Sequence, residues 1–181
     1  RADPTYLEDP EITSYLNNLG RRLLSTSNET QPGQTFEFFA LQDPTINAFA
    51  LPGGFMGFNS GLIIAAQSES ELAGVMAHEI AHVTQKHLAR MIAGQQHMGL
   101  ISTIAGLAIA ILASRSNPQA GQAAIVASQA FAIQSRLNFT RKHEKEADRI
   151  GFNILHRAGF DPHGMSAFFE RLQLAGRYRE N

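Results

Sequence analysis

Five consecutive residues, His78 to His82 with the sequence H-E-I-A-H, constrain this chain more than any other feature. Residues four apart face the same side of an α-helix, so the two imidazoles can meet one ion if the segment is helical. Helical signals surround it, because Ser68 and Glu71 form a capping box and the apolar residues that follow recur at helical spacing. The sequence therefore predicts a long helix that reaches about Gln95.

The chemistry of this motif points to a bound divalent ion. Two neutral imidazoles suit Zn²⁺, which lowers the pKa of a bound water to about 7, and the carboxylate of Glu79 can then accept the water proton. In a chain of 181 residues with 7 His, chance alone gives about 0.02 matches to this pattern. We therefore favour a metal site over the alternative that His78 and His82 are ordinary helix histidines.

A catalytic zinc site needs a third protein ligand, and acidic residues are few after this helix. Glu144 and Asp148 lie one turn apart on a helix predicted from about Thr140 to His156. One of the two carboxylates could coordinate the ion while the other accepts the outer N–H of a zinc-bound histidine. A charged, solvated helix face explains the same two residues equally well.

Composition excludes several classes of function. The chain has no cysteine and a formal net charge of -1. Thiol catalysis and thiolate metal sites are therefore excluded, and no nucleic-acid partner is expected. A hydrophobic fraction of 44% over 181 residues fits a single folded domain spanning residues 1–181.

Helices dominate the pattern, and the strand signals precede the histidine helix. Asp9-Pro10 is expected to begin a first helix, and strand candidates follow at 35–41, 46–51 and 55–59. Short connections favour antiparallel pairing, so we expect an α+β fold that is mostly helical with a small three-stranded antiparallel sheet. Gly159 is expected to end the 140–156 helix, and Asp161-Pro162 to begin the last one.

The segment 98–136 is rich in small and apolar residues, with an apolar run from Leu100 to Ala113. A membrane-spanning helix needs about 20 such residues, and this run is shorter, so a buried helix is favoured over one that touches a membrane. We expect one or two helices in this segment, broken near Asn117-Pro118. It is our candidate for a lid or a membrane-facing element.

Several motifs together resemble one family of zinc peptidases. H-E-I-A-H at 78–82 is followed by E-K-E-A-D-R-I-G at 144–151, and further matches occur at Ile46–Ala50, Val83–Arg90 and Ala158–Pro162. This combination resembles the HtpX and CAAX-prenyl-protease type of zinc metallopeptidase, and within it the periplasmic BepA-like branch of β-barrel assembly-enhancing proteases. The resemblance covers almost the whole chain.

The resemblance implies roles for the residues that spacing leaves open. It implies a zincin fold of the gluzincin type, in which His78, His82 and Glu144 bind one Zn²⁺ per chain. Glu79 is then the general base. Asp148 lies behind one of the ligand histidines.

Two further features of the sequence are candidates for contact with the substrate. In peptidases of this type an edge strand holds the substrate in extended form by backbone pairing. Asn47, Ala48 and Phe49 resemble that strand, although an ordinary core strand fits them as well. Gly74, one turn before His78, either leaves room for the substrate or the sheet or is a tolerated helix glycine.

The resemblance also implies a biological setting. It implies a zinc-dependent endopeptidase of the Gram-negative periplasm that cleaves misfolded or misassembled outer-membrane proteins. Its expected partners are polypeptide substrates, β-barrel proteins or their assembly machinery, with peripheral membrane contact also open. The tetratricopeptide repeats that follow the peptidase core in BepA-like proteins are absent from these 181 residues. The alternative is a metal-stabilised, chaperone-like binding module with little proteolysis.

Overall fold

The computed structural model describes residues 5–28, 33–94 and 118–179 of the chain. It divides into two compact units, one formed by residues 1–85 and 146–181 and the other by residues 86–145. The organisation as one domain, expected from the sequence, stays a prediction.

The first helix, α1 (Pro10–Ser25), begins where the sequence predicts. The side chain of Asp9 accepts hydrogen bonds from the backbone N–H groups of Glu11 and Ile12 at 2.9 and 3.1 Å. These bonds satisfy two of the donors that every helix start leaves without an intrahelical partner. The helix then buries one apolar face, made of Leu16, Leu19 and Leu23.

Three short strands form one mixed sheet: β1 (Glu37–Leu41), β2 (Ala48–Leu51) and β3 (Phe55–Asn59). The strand order is β1-β3-β2, with β1 parallel and β2 antiparallel to β3. The three strands and the mostly helical α+β class are confirmed, but the expected purely antiparallel pairing is wrong.

The connection between β1 and β2 explains the mixed sheet. Residues 42–47 carry the chain past the position of β3 to the far side of the sheet. Six residues reach easily across two strand spacings of about 4.8 Å each. A short connection therefore does not require β1 and β2 to be neighbours in the sheet. Only β2 and β3 form a hairpin, and its turn contains Gly53 and Gly54 with φ of 94° and 88°, a region that glycine enters without steric cost.

The histidine helix, α3 (Glu69–Thr84), follows a short helix α2 (Ser60–Ala65) that the sequence did not predict. The hydroxyl of Ser68 accepts from the backbone N–H of Glu71 at 3.2 Å, which confirms the predicted cap. The helix ends at Thr84 and not near Gln95. Lys86 adopts a left-handed conformation with φ of 53°, which interrupts the helical backbone, and residues 87–94 (α4) are helical again.

The remaining helices are α5 (Pro118–Arg157) and α6 (His163–Arg179). The sequence predicts a separate helix from about Thr140, but α5 is continuous, because residues 122–150 contain no glycine or proline to interrupt it. Gly159, with φ of 76°, ends the turn after α5 as predicted.

Residues 98–117 lie outside the described part, so the lid or membrane-facing role of 98–136 stays a prediction. No helix among the described residues is long and apolar enough to cross a membrane.

The core of the first unit lies between the sheet and the helices. Its most completely buried large side chains come from α1, β1, β3, α3, α5 and α6 and include Leu16, Phe38, Phe58, Met76, Ile80, Leu155 and Phe168. The second unit is helical where it is described. In it the buried rings of His87 and His143 stack at 4.4 Å between centroids, and the ring of Phe139 meets His143 edge-on at 4.1 Å.

A partly buried ion pair joins α3 to α6, with the carboxylate of Glu71 buried and the side chain of Arg171 33% exposed. Both carboxylate oxygens of Glu71 accept hydrogen bonds from the Arg171 guanidinium, which also donates to the carbonyl of Ala65 at 3.2 Å. The Glu71 carboxylate accepts from the backbone N–H of Gln67 as well, at 2.8 Å. Hydrogen bonding from Arg171 lowers the pKa of Glu71 below its ordinary 4.5, because it favours the charged form.

Replacing Glu71 with Gln is expected to lower the free energy of unfolding by about 2 kcal/mol at pH 7, since it leaves the Arg171 charge without its partner. The pKa of Glu71 is lowered on folding, so its contribution is fully present above pH 4.5 and is lost as the pH falls through the folded-state pKa. The difference between wild type and Glu71→Gln in urea unfolding should therefore shrink below pH 4.5.

The matched control is Glu170→Gln, which removes an exposed carboxylate beside Arg171 in sequence and is expected to change stability by less than about 0.5 kcal/mol. A stability loss in Glu71→Gln that is equally large at pH 7 and pH 3 would show that packing, and not the charge of Glu71, is responsible.

Candidate metal centre

Helix α3 places the two histidines of the motif on one face, as the spacing predicts. The Nε2 atoms of His78 and His82 lie 2.9 Å apart, and the ring centroids lie 4.6 Å apart. His78 is only 8% exposed, whereas His82 is half-buried. One imidazole is therefore held inside the protein while the other borders solvent.

Glu144, which is exposed on α5, supplies a third ligand atom. One such atom from each of His78, His82 and Glu144 lies within 4.8 Å of the other two. Ligand atoms bound tetrahedrally to zinc at about 2.0–2.1 Å lie about 3.3 Å from one another, so atoms that all lie within 4.8 Å of one another are close enough to share one ion after small adjustments. Two imidazole nitrogens and one carboxylate oxygen also form a donor set that suits zinc.

Asp148 lies against the side of His78 that faces away from His82. Its Oδ1 is 2.9 Å from Nδ1 of His78. A carboxylate in this position favours the tautomer with the proton on Nδ1, and this leaves the lone pair of Nε2 available to a metal ion. Spacing alone left the roles of these two carboxylates open. Their positions differ, because Glu144 joins the ligand group and Asp148 contacts the back of a histidine.

Gly151 lets α5 approach the backbone of α3 at His78 itself. A Cβ atom built on Gly151 would lie 3.0 Å from the backbone nitrogen of His78 and 3.1 Å from the carbonyl carbon of Ala77. Such contacts are too short for any larger residue to be accepted without movement of one helix. Gly151 is three residues after Asp148, so this close approach and the contact with Nδ1 belong to the same helix crossing.

Phe169 on α6 contacts the same imidazole from another direction. Its ring centroid lies 5.5 Å from that of His78, with an angle of 63° between the planes. The helical spacing of apolar residues indicates that Phe169 faces inward, but spacing does not reveal which residue an inward ring will meet. Sequence reasoning therefore missed this contact.

Glu79 borders the His78, His82 and Glu144 group without belonging to it. It follows His78 directly on α3 and is half-buried, about 100° around the helix axis from that histidine. Its role as general base, expected from the motif, stays a prediction.

Gly74, by contrast, does not leave room for a substrate. A Cβ atom there would lie 2.8 Å from the Cα of Met165, so the backbone of α6 occupies the space. The expectation of an opening to the substrate or the sheet is wrong, because the absent side chain serves the close packing of α3 and α6.

The predicted substrate strand is at the edge of the described sheet. Strand β2 pairs with β3 on one side and packs against α3. The N–H of Asn59 donates to the carbonyl of Asn47 at 3.0 Å. Because alternate residues of an antiparallel pair exchange backbone hydrogen bonds, Asn47 and Phe49 face β3, and the backbone groups of Ala48 and Ala50 point outward.

Phe49 has a structural role on the outer face of the sheet. It pairs with Gly57 on β3, where a Cβ atom would lie 2.4 Å from Cζ of the Phe49 ring. The ring also contacts Phe39 edge-on, with 6.2 Å between centroids. Of the three residues predicted to bind substrate, only Ala48 therefore turns its backbone groups outward.

Together, the small sheet, the histidine helix and the nitrogen and carboxylate donor set are the features of a zincin-type fold with a candidate metal site. The model of Peptidase family M48 matches residues 10–178. The chain belongs to this family, which confirms the family expected from its motifs.

Comparison with individual proteins identifies relatives that align with nearly the whole chain. The chain is 48% identical over 178 residues to a relative from Vibrio cholerae. It is 43% identical over 178 residues to the beta-barrel assembly-enhancing protease of Escherichia coli. Each of these alignments covers 98% of this chain and 36% of the relative. It is 33% identical over 163 residues to a mitochondrial metalloendopeptidase of Schizosaccharomyces pombe, covering 90% of this chain and 44% of that protein. The chain thus spans about a third of the length of these two bacterial relatives.

Replacing Gly151 with Ala should destabilise the protein by about 1–3 kcal/mol, because α5 must move away from the backbone at His78 to admit a methyl group. This loss opposes the gain of about 1 kcal/mol that Ala normally gives in a helix. Urea unfolding measures the net effect.

Gly94→Ala is the matched control for this substitution. Residue 94 is also helical, and its Cβ would approach Phe139 no closer than an ordinary contact of 3.5 Å. This variant should be as stable as wild type or more so. A Gly151→Ala protein as stable as Gly94→Ala would show that the crossing of α3 and α5 tolerates a side chain.

Proposed function

We propose that the chain is a zinc-dependent endopeptidase domain in which His78, His82 and Glu144 bind one Zn²⁺. The observation that carries this proposal is the convergence of the three ligand atoms within 4.8 Å. The contact of Asp148 with Nδ1 of His78, at 2.9 Å, supports it further. That contact prepares the histidine to bind through Nε2.

The reaction proposed is hydrolysis of a peptide bond. A divalent ion at this site would supply Lewis acidity, which lowers the pKa of a water and polarises the scissile carbonyl. Glu79 accepts the proton of the attacking water and then donates it to the departing amine, so one carboxylate acts as base and later as acid. Asp148 holds the imidazole of His78 while charge develops at the site.

The proposed substrate is an extended polypeptide segment bound along β2. The outward N–H and C=O groups of Ala48 and Ala50 would pair with the substrate backbone as an additional strand. The side chains of both alanines pack against the core, so they do not block an approaching chain. Because β2 packs against α3, a segment paired with it runs beside the helix that carries the histidines. Asn47 and Phe49 would support this strand from the side facing β3.

The proposed biological setting follows the relatives. The Escherichia coli relative is named for the assembly of β-barrel proteins, and the chain is 43% identical to it over 178 residues. We therefore infer a Gram-negative periplasmic enzyme that cleaves misfolded or misassembled outer-membrane proteins as quality control. Outer-membrane β-barrel proteins or their assembly machinery are its proposed partners.

Two substitutions separate metal binding from proton transfer. Glu79→Gln should keep the zinc and lose at least about 100-fold in kcat, because only the general base is removed. Glu144→Ala should weaken zinc affinity at least about tenfold, because a ligand is removed. Elemental analysis measures the zinc, and cleavage of an unfolded model polypeptide measures kcat.

Matched controls are Glu69→Gln on α3 and Glu146→Ala on α5, which change nearby carboxylates outside the proposed site. Both should bind zinc and cleave like wild type. Zinc binding by Glu144→Ala equal to wild type would remove Glu144 from the ligand set. If Glu79→Gln suppresses aggregation of unfolded proteins as well as wild type does, and wild type cleaves nothing, the chaperone-like binding module is favoured.

Backbone pairing with β2 predicts an alternating dependence on substrate N–H groups. N-methylation of a peptide substrate at a position whose N–H points towards Ala48 or Ala50 should raise KM by about tenfold, since a hydrogen bond is lost. Methylation of the neighbouring positions should leave KM nearly unchanged. The methylated positions must lie at least two residues from the cleaved bond, and a KM that does not alternate along the peptide would contradict strand pairing.

A further inference from the structure

Two neighbouring helices of the first unit fix the imidazole of His78. Asp148 on α5 contacts Nδ1 at 2.9 Å. The ring of Phe169 on α6 meets the imidazole at 5.5 Å and 63°, within the range in which aromatic rings attract one another edge-on. Nε2 faces His82. The carboxylate of Asp148 that contacts the back of the ring belongs to a side chain that is 56% exposed.

An exposed carboxylate is by itself a weak restraint on an imidazole. An ion pair exposed to solvent contributes at most about 1 kcal/mol. Metal sites need their ligands held within about 0.5 Å and 10–20° of the binding geometry, so packing that restrains the plane of the ring contributes to the site.

Helix α6 packs closely enough against α3 to supply such a restraint. Gly74, one turn before His78, allows the Cα of Met165 to come within 2.8 Å of a Cβ position on α3, and Met165 is one turn before Phe169. The approach is reciprocal, because a Cβ atom at Gly164 would lie 2.8 Å from the backbone carbonyl carbon of Ser70. The two helices therefore touch backbone to backbone just before the point where the two rings meet.

We propose that Phe169 is a positioning residue for the metal site, whose ring fixes the plane of the His78 imidazole so that Nε2 points to the ion. This inference rests on the proposed function, since it assumes that His78 binds zinc. Phe169 touches neither the ion nor the scissile bond in this role. It acts through the histidine by excluding the other ring orientations.

The test compares three variants of the whole protein with wild type. Phe169→Leu keeps an apolar side chain but loses the flat ring edge, and it should bind zinc about tenfold more weakly in competition with a chromophoric chelator. Its kcat should fall while KM stays within about twofold, because substrate pairing with β2 is untouched. Phe169→Tyr, which restores the ring, should bind zinc within about twofold of wild type. Phe169→Met replaces the Leu variant if that protein does not fold.

Phe168→Leu is the matched control, because Phe168 is the neighbouring residue on α6 and is 1% exposed in the core. It should lower the unfolding midpoint in urea but leave zinc affinity within about twofold of wild type. Zinc affinity of Phe169→Leu within twofold of wild type overturns the proposal, as does an equal loss of affinity in Phe168→Leu. A wild-type protein that binds no zinc overturns the proposed function itself, so the two failures are distinguishable.

Discussion

The close contact of α3 with α5 and α6 at His78 is the constraint on which the site depends. Gly151 allows α5 to approach the backbone of that residue, and Gly74 and Gly164 allow α6 to approach the backbone of α3 at least one turn earlier. Without side chains at these points, Asp148 and Phe169 reach the imidazole from two sides. The H-E-x-x-H motif supplies donors, but the glycines decide how firmly the more buried donor is held.

Local signals in the sequence predicted much of the fold. The start of α1 at Asp9, the cap of α3 at Ser68 and the stop at Gly159 each depend on residues within a few positions of one another, and all three are observed. The three strands were found in the same way, from short apolar runs between turns. For the site, the spacing of His78 and His82 sufficed, because one helical turn fixes their relative direction.

Properties that depend on distant residues were not predictable from one sequence. The parallel pairing of β1 with β3 depends on the path of residues 42–47, and that path is tied down by contacts such as the one between Asn59 and Thr45. The end of α3 depends on the left-handed backbone of a lysine, a residue type that carries no such signal. Spacing alone likewise could not assign Glu144 and Asp148 their different roles, for which the family resemblance was needed. It places Phe169 on an inward face but does not indicate that its ring meets His78.

The position of β2 at the sheet edge has a consequence for how a substrate would be chosen. An edge strand offers hydrogen bonds to any backbone that has its own N–H and C=O groups to give, whatever side chains it carries. A completed β-barrel has none to give, because closure pairs every strand with a neighbour. Such an edge would distinguish polypeptides by conformation and not by amino-acid sequence. An enzyme of this design would bind chains whose folding has left backbone groups unpaired.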